Sequence, residues 1–256
     1  MSEKTEVGAI ARVLRLISLL SDHPNLSAKE AAESLGWPFS TTHRLLRRLL
    51  EAEFAGQTRQ GAFTPGPELF RIAGRLGGQE PLLRIAQPLL EALAQRFGET
   101  ALLTILQRRP LQMYIATSAA PPDPMRYFIE LNRVSPLVWG ALGRAILANL
   151  TTEEIEKAIA RPNPPDVKGQ PLDPDTLKRD LGTISSEGFA VSRSHRTLNS
   201  VGIAVPFFNY SQEPVGSIGF QVPAFRHDEA RLPEMVAALK EAAAVISQQA
   251  RARVDA

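Results

Sequence analysis

Ser40-Thr41-Thr42-His43-Arg44-Leu45-Leu46-Arg47-Arg48-Leu49-Leu50 places three arginines and no acid in eleven residues. At about 100° per residue, Leu45, Leu46, Leu49 and Leu50 share one side of a helix. Thr42 falls on that side too, so it is expected to be buried. Ser40, Arg44 and Arg47 point the opposite way, and Thr41, His43 and Arg48 flank them. Short hydrogen-bonding residues near a helix N-terminus with arginines further along suit a helix lying in a DNA groove. The first reach base edges and the second hold phosphates. The same pattern also describes an ordinary solvated helix face, so the flanking sequence carries weight.

Upstream, Ser27-Ala28-Lys29-Glu30 fits a capping box. The short helix it opens runs through Ala31, Ala32 and Leu35 and is expected to stop at Gly36. Trp37-Pro38-Phe39 makes the turn, and Ser40 is expected to cap the basic helix. A first helix spans residues 9–20, with Ile10, Val13, Leu14, Ile17 and Leu20 at helical spacing and Arg12 and Arg15 outward. Downstream, residues 54–64 read as a hairpin around Gln60-Gly61, with Arg59 near its tip. Three helices and a hairpin predict a winged helix-turn-helix.

The rest of the 256 residues limits the alternatives. Net charge is only +2, so a nucleic-acid site must be a local patch. There are no cysteines, which removes disulfides and thiolate chemistry. No apolar run of about 18 residues occurs, and the polar N-terminus is not a signal peptide, so a cytoplasmic protein without membrane contact is expected. His23, His43, His195 and His227 lack metal-binding spacing, and no phosphate-loop or dinucleotide motif is present, so neither metal nor cofactor is expected. A hydrolase would need Ser194 or Ser217 with His195, a geometry that nothing in the sequence supports. A sensor acting only through protein contacts is the other alternative.

Residues 66–80 read as a helix ending at Gly77-Gly78 before Pro81. An amphipathic helix follows over 82–97. Extended runs are predicted at 100–107, 112–118 and 125–131, helices at 137–149, 151–160 and 173–187, and strands at 188–194, 200–209 and 215–222. A last helix begins near Asp228. This order predicts an α+β domain around one antiparallel sheet.

The sequence resembles IclR-type bacterial transcription regulators over nearly its whole length. In the first part the likeness is carried by residues 9–20, Ser27–Ala32, Phe39–Leu46 and Phe63-Thr64-Pro65-Gly66. Pro65 stands where the family usually has leucine. In the second part it is carried by Ser135-Pro136-Leu137, Ala141–Ala148, Glu187–Ala190 and Gly202–Phe207. The resemblance implies a DNA-binding domain (1–66), a linker helix (67–81) and a GAF-like effector domain (82–256). It also implies homodimers or homotetramers, a double-stranded DNA operator and a small-molecule effector. Asn132 stands near a frequent family glycine, and Asn tolerates the left-handed turn expected there. The segment 192–196 is cationic where the family often has an acid.

Carried across by resemblance, the effector pocket is expected to include Trp139, Gly140, Ala141, Leu142, Ser192, Gly202, Gly219 and Gln221. Family members that take small keto acids have polar side chains at the two glycine positions. The glycines, with the Trp139 ring, lead us to expect an organic acid larger than pyruvate, with an aromatic acid a candidate. Its carboxylate is expected to meet Arg193, His195 or Arg196.

Overall fold

The computed structural model describes residues 8–77, 80–122 and 127–251. The chain forms two compact units, 1–80 and 81–256.

The first unit opens with α1 (Ala9–Asp22), α2 (Ala28–Leu35) and α3 (Phe39–Glu51). The α2 capping box is complete: Ser27 Oγ accepts from the Glu30 amide and Glu30 accepts from the Ser27 amide. Gly36 ends α2 at φ 66°, a left-handed conformation that costs glycine little. Ser40 does not cap α3. The helix starts two residues earlier, at Phe39, with Pro38 at the cap position and no side-chain cap bond, and Ser40 lies inside the first turn. Strands β1 (Ala55–Gln57) and β2 (Phe63–Pro65) pair antiparallel as the wing. Leu26 and Phe63 exchange backbone hydrogen bonds, which ties the wing to the chain entering α2. Leu16, Leu20, Leu46, Leu49, Ala55 and Phe63 form the core. On α1 the inward residues are Leu16 and Leu20, whereas Ile10 is 78% and Leu14 59% exposed, so the predicted apolar stripe is only partly covered. Helix α4 (Pro67–Leu76) follows. Gly78, in the predicted joint, lies outside the described residues.

The second unit begins with α5 (Pro81–Phe97), β3 (Thr100–Arg108) and β4 (Leu111–Ala119). The predicted strand at 125–131 is not present as such. Residues 125 and 126 lie outside the described set, 127–131 form no strand, and only β5 (Val134–Ser135) pairs with β4 on that side. Asn132 adopts the left-handed backbone at φ 61°, the turn expected there. Next come α6 (Gly140–Leu147), α7 (Thr152–Ala160), α8 (Pro174–Glu187), β6 (Ala190–Arg193), β7 (Ser200–Phe208), β8 (Pro214–Pro223) and α9 (Leu232–Arg251).

The six-stranded sheet runs β5-β4-β3-β8-β7-β6, every neighbour antiparallel. Strand alternation separates its faces. Val201, Ile203, Val205 and Phe207 of β7 face α5 and α9, while Ala204 packs with α6 and α8. One end of that second face is where the candidate ligand site forms.

Candidate functional site

Two regions carry functional geometry, one in each unit. The first is the outer face of α3. Thr42 is fully buried and its hydroxyl donates to the Pro38 carbonyl (3.2 Å), so burial leaves it satisfied. Leu46 and Leu49 are buried beside it. Ser40, His43, Arg44 and Arg47 are exposed or nearly so, and Thr41 is half-buried. Arg48 is paired with Glu51 at 2.8 Å, which spends part of its charge within the helix. Among the described residues no carboxylate pairs with Arg44 or Arg47. Arg59 is exposed at the tip of the wing.

The second region is a cavity of about 200 Å³ between the sheet and the start of α6. Its floor comes from strand register. Ser192 of β6 lies opposite Gly202 of β7, which lies opposite Gln221 of β8. The three therefore sit side by side on one face. The Ala141 amide donates to Ser192 Oγ (2.9 Å), fastening α6 to the sheet. Gly140 starts α6 at φ 78°, and an added Cβ there would come 3.1 Å from the Arg196 side chain.

Trp139, Gly140, Ala141, Leu142, Ser192, His195, Gly202 and Gln221 all line the cavity. Arg193 and Gly219 do not. Arg193 points the other way, is exposed, and pairs with Glu229. Gly219 packs against β7, where an added Cβ would meet the Ile203 carbonyl at 2.3 Å. Gly202 leaves less room than its missing side chain suggested. Ser192 Oγ and the Ala141 Cβ already fill that place, 3.0 and 3.3 Å from where a Cβ would lie.

Trp139 is both core and wall. It is buried, its indole N–H donates to the Pro164 carbonyl (2.8 Å), and His195 packs edge-on at 5.7 Å between ring centroids. The Arg144 guanidinium sits 5.8 Å from the ring centre. Arg144 is itself buried, donating to the Val138 carbonyl (2.9 Å) and to Asp180 (2.7 Å). Burial pushes the Arg144 pKa down, and Asp180 opposes that shift.

Burial, then the nearby Arg144, lower the pKa of His195, which favours the neutral ring. Its Nδ1 is buried with no hydrogen-bond partner among the described residues. His195 is therefore a poor choice as the cation for a carboxylate.

Arg196 fits that role better. Its side chain passes Gly140 into the cavity wall, and Nη2 donates to Ser135 Oγ (2.8 Å). The residue as a whole is exposed, but surrounding atoms crowd the guanidinium. That desolvation, with repulsion from Arg133, lowers its pKa. Among the described residues no carboxylate pairs with it. Ser135 and Arg133 also line the cavity, and neither stands among the residues expected there. The signal for Ser135 is present in the sequence, because it opens the Ser-Pro-Leu stretch.

Of the two serines a hydrolase would call on, Ser217 is committed to the fold. Ser217 is fully buried, and its hydroxyl is shared between Thr104 Oγ1 (2.6 Å) and the Leu142 carbonyl (2.9 Å).

A winged helix-turn-helix joined in one chain to an α+β unit with a ligand-sized cavity defines a ligand-responsive regulator of transcription. Similarity to known proteins specifies which kind. The IclR helix-turn-helix domain matches residues 9–59, and the bacterial transcriptional regulator IclR C-terminal domain matches residues 78–248. The regulator BhcR of Paracoccus denitrificans is 30% identical, covering 98% of this chain and 90% of its own length. The IclR transcriptional regulator from Alicyclobacillus acidocaldarius superimposes with a TM-score of 0.80 at 25% identity, covering 94% of this chain and 98% of that one. An IclR homologue from Microbacterium hydrocarbonoxydans, solved with 4-hydroxybenzoate, superimposes at 0.72 with 22% identity, covering 96% and 100%. The chain belongs to the IclR family of bacterial transcriptional regulators, with an N-terminal helix-turn-helix and a C-terminal effector domain.

Proposed function

We propose that this protein binds a double-stranded operator through α3 and the wing, and releases or tightens that grip when a single-ring organic acid enters the cavity. Residues 1–66 form the DNA-binding domain in this reading, 67–81 the linker helix and 82–256 the effector domain. Ser40, Thr41 and His43 face base edges. Arg44 and Arg47 hold phosphates, with Arg48 and Arg59 at the periphery.

The observation that carries the ligand reading is Arg196: a guanidinium at a cavity wall, held by Ser135 and paired with no carboxylate among the described residues, since Glu130 on the same wall pairs with Arg133. A carboxylate is the complement such a group lacks. The size fits one ring, since a cavity of about 150 Å³ is enough to hold benzene and this one is about 200 Å³. Trp139 supplies an aromatic wall. 4-Hydroxybenzoate, the compound bound to the Microbacterium homologue, is the natural first probe.

The protein acts through equilibria rather than catalysis, and as a homodimer or homotetramer. Exposed Ile10 and Leu14 on α1, and Phe70 and Leu76 on α4, are apolar surface that a second copy would cover. Calorimetric titration with benzoate, 4-hydroxybenzoate, pyruvate and glyoxylate tests the ligand reading. The ring acids are expected to bind more tightly, and exclusive binding of the two short acids overturns the size argument.

A further inference from the structure

The N-terminal turn of α3 begins with a residue that the arginine pattern does not single out. Phe39 is the first residue of the helix and is 56% exposed. Its ring stacks on the His43 ring one turn later, with centroids 5.7 Å apart and planes within 16°. The contact orders the phenyl group at the helix tip but does not bury it. By helix phase Phe39 shares the side of Leu46 and Leu50, but it lies at the tip of α3, beyond the buried Thr42 and Leu46, and its exposure excludes a core role. The other exposed large apolar residues of this unit lie on α1 and α4, so Phe39 stands among polar neighbours on α3, next to Ser40, Thr41 and His43.

A recognition helix meets base edges with its N-terminal turn. In the major groove the one apolar group that a base presents is the thymine C5-methyl, and phenylalanine is a side chain that complements it. We propose that Phe39 is a base-reading residue whose ring packs on a thymine methyl group, beside the base edges met by Ser40 and Thr41. Stacking on His43 lowers the entropy lost when the ring docks, and it links the methyl contact to any hydrogen bond His43 makes to the neighbouring base. The proposal rests on the operator-binding reading of α3 and adds a sequence preference to it.

The experiment uses the full-length protein. A duplex is enriched from a random pool by the wild type, and each thymine is then replaced by deoxyuridine, which deletes only the methyl group. Binding is followed by fluorescence anisotropy. One thymine per half-site is expected to matter, each replacement weakening wild-type binding by about four-fold, the worth of one buried methyl group. Phe39→Ala is expected to bind the parent duplex several-fold more weakly and to respond equally to thymine and deoxyuridine at that position. Its salt dependence should match the wild type, because every phosphate remains neutralised as before. Its melting temperature should be unchanged, since the ring is largely exposed. A wild type indifferent to every replacement, or a Phe39→Ala variant that keeps the preference, overturns the proposal. Failure to enrich any duplex is a separate result that overturns the operator-binding reading beneath it.

Discussion

Replacing Arg196 by Gln removes the charge that the cavity holds ready, while keeping a polar side chain of similar reach. A hydrogen bond to a charged group contributes about 1.5–3 kcal/mol, or roughly 10- to 150-fold in affinity. The lower end applies here. Arg196 is exposed, so water competes for the ligand carboxylate, and one donor is already committed to Ser135. About ten-fold weaker binding of 4-hydroxybenzoate is therefore expected in Arg196→Gln. Arg193→Gln is the paired control. Arg193 carries the same charge on the same segment but lies outside the cavity, exposed and paired with Glu229. Its replacement should alter affinity by less than about two-fold, as expected for a surface pair. Isothermal titration calorimetry on the three proteins decides. Equal losses in both variants, or a loss confined to Arg193→Gln, refute the assignment of the carboxylate to Arg196.

Three further outcomes follow from the same structure. Arg44→Ala and Arg47→Ala should each reduce the slope of log K against log[salt] by about 0.9 for every phosphate left without its arginine, hence by about 1.8 for a dimer on two half-sites, measured by anisotropy from low to moderate salt. Gly66→Ala should unfold or loosen the wing, because the new Cβ would lie 2.2 Å from the Glu53 carbonyl and 2.7 Å from the Ala55 amide nitrogen; a stability decrease of about 1–3 kcal/mol or more is expected by thermal melting, with operator binding failing in parallel. Burial depresses the His195 pKa below the ordinary 6.5, so the unfolded chain binds the proton more readily. Stability should fall as pH drops through about 6.5 and level off below the folded-state value, and melting curves of His195→Gln should show a smaller decrease between neutral and mildly acidic pH than the wild type.

Much of the first unit is legible in the sequence because its signals are local. The Ser27 and Glu30 pair, Gly36 and the leucine phase of α3 each act within a few residues, and together they place the buried Thr42. The start of α3 falls two residues before the expected place, with Pro38 rather than Ser40 at the cap position and no side-chain bond there. Ile10 and Leu14 follow the helical period yet stay exposed, since periodicity shows an apolar stripe but not what covers it. In the second unit most strands and helices are legible, the run at 125–131 excepted, whereas the cation of the site is not traceable to one residue. Along β6 the faces alternate, so Ser192 turns in and Arg193 out. Ser194 then adopts φ 53°, which resets the phase and brings His195 and Arg196 to the cavity wall. No pattern in the sequence announces that turn. Gly219 shares a strand face with Gln221, yet only the crossing point of α6, marked by the Ser217 bond to the Leu142 carbonyl, decides which of them meets the cavity.

Linkage between the cavity and α3 is the central claim. The most direct measurement is the operator dissociation constant of the full-length protein with and without a saturating acid that calorimetry has shown to bind. A change of about 5- to 150-fold is predicted, with the operator shifting the affinity for the acid by the same factor. An acid that binds and is weakened by Arg196→Gln, yet leaves the operator dissociation constant unchanged, would contradict it.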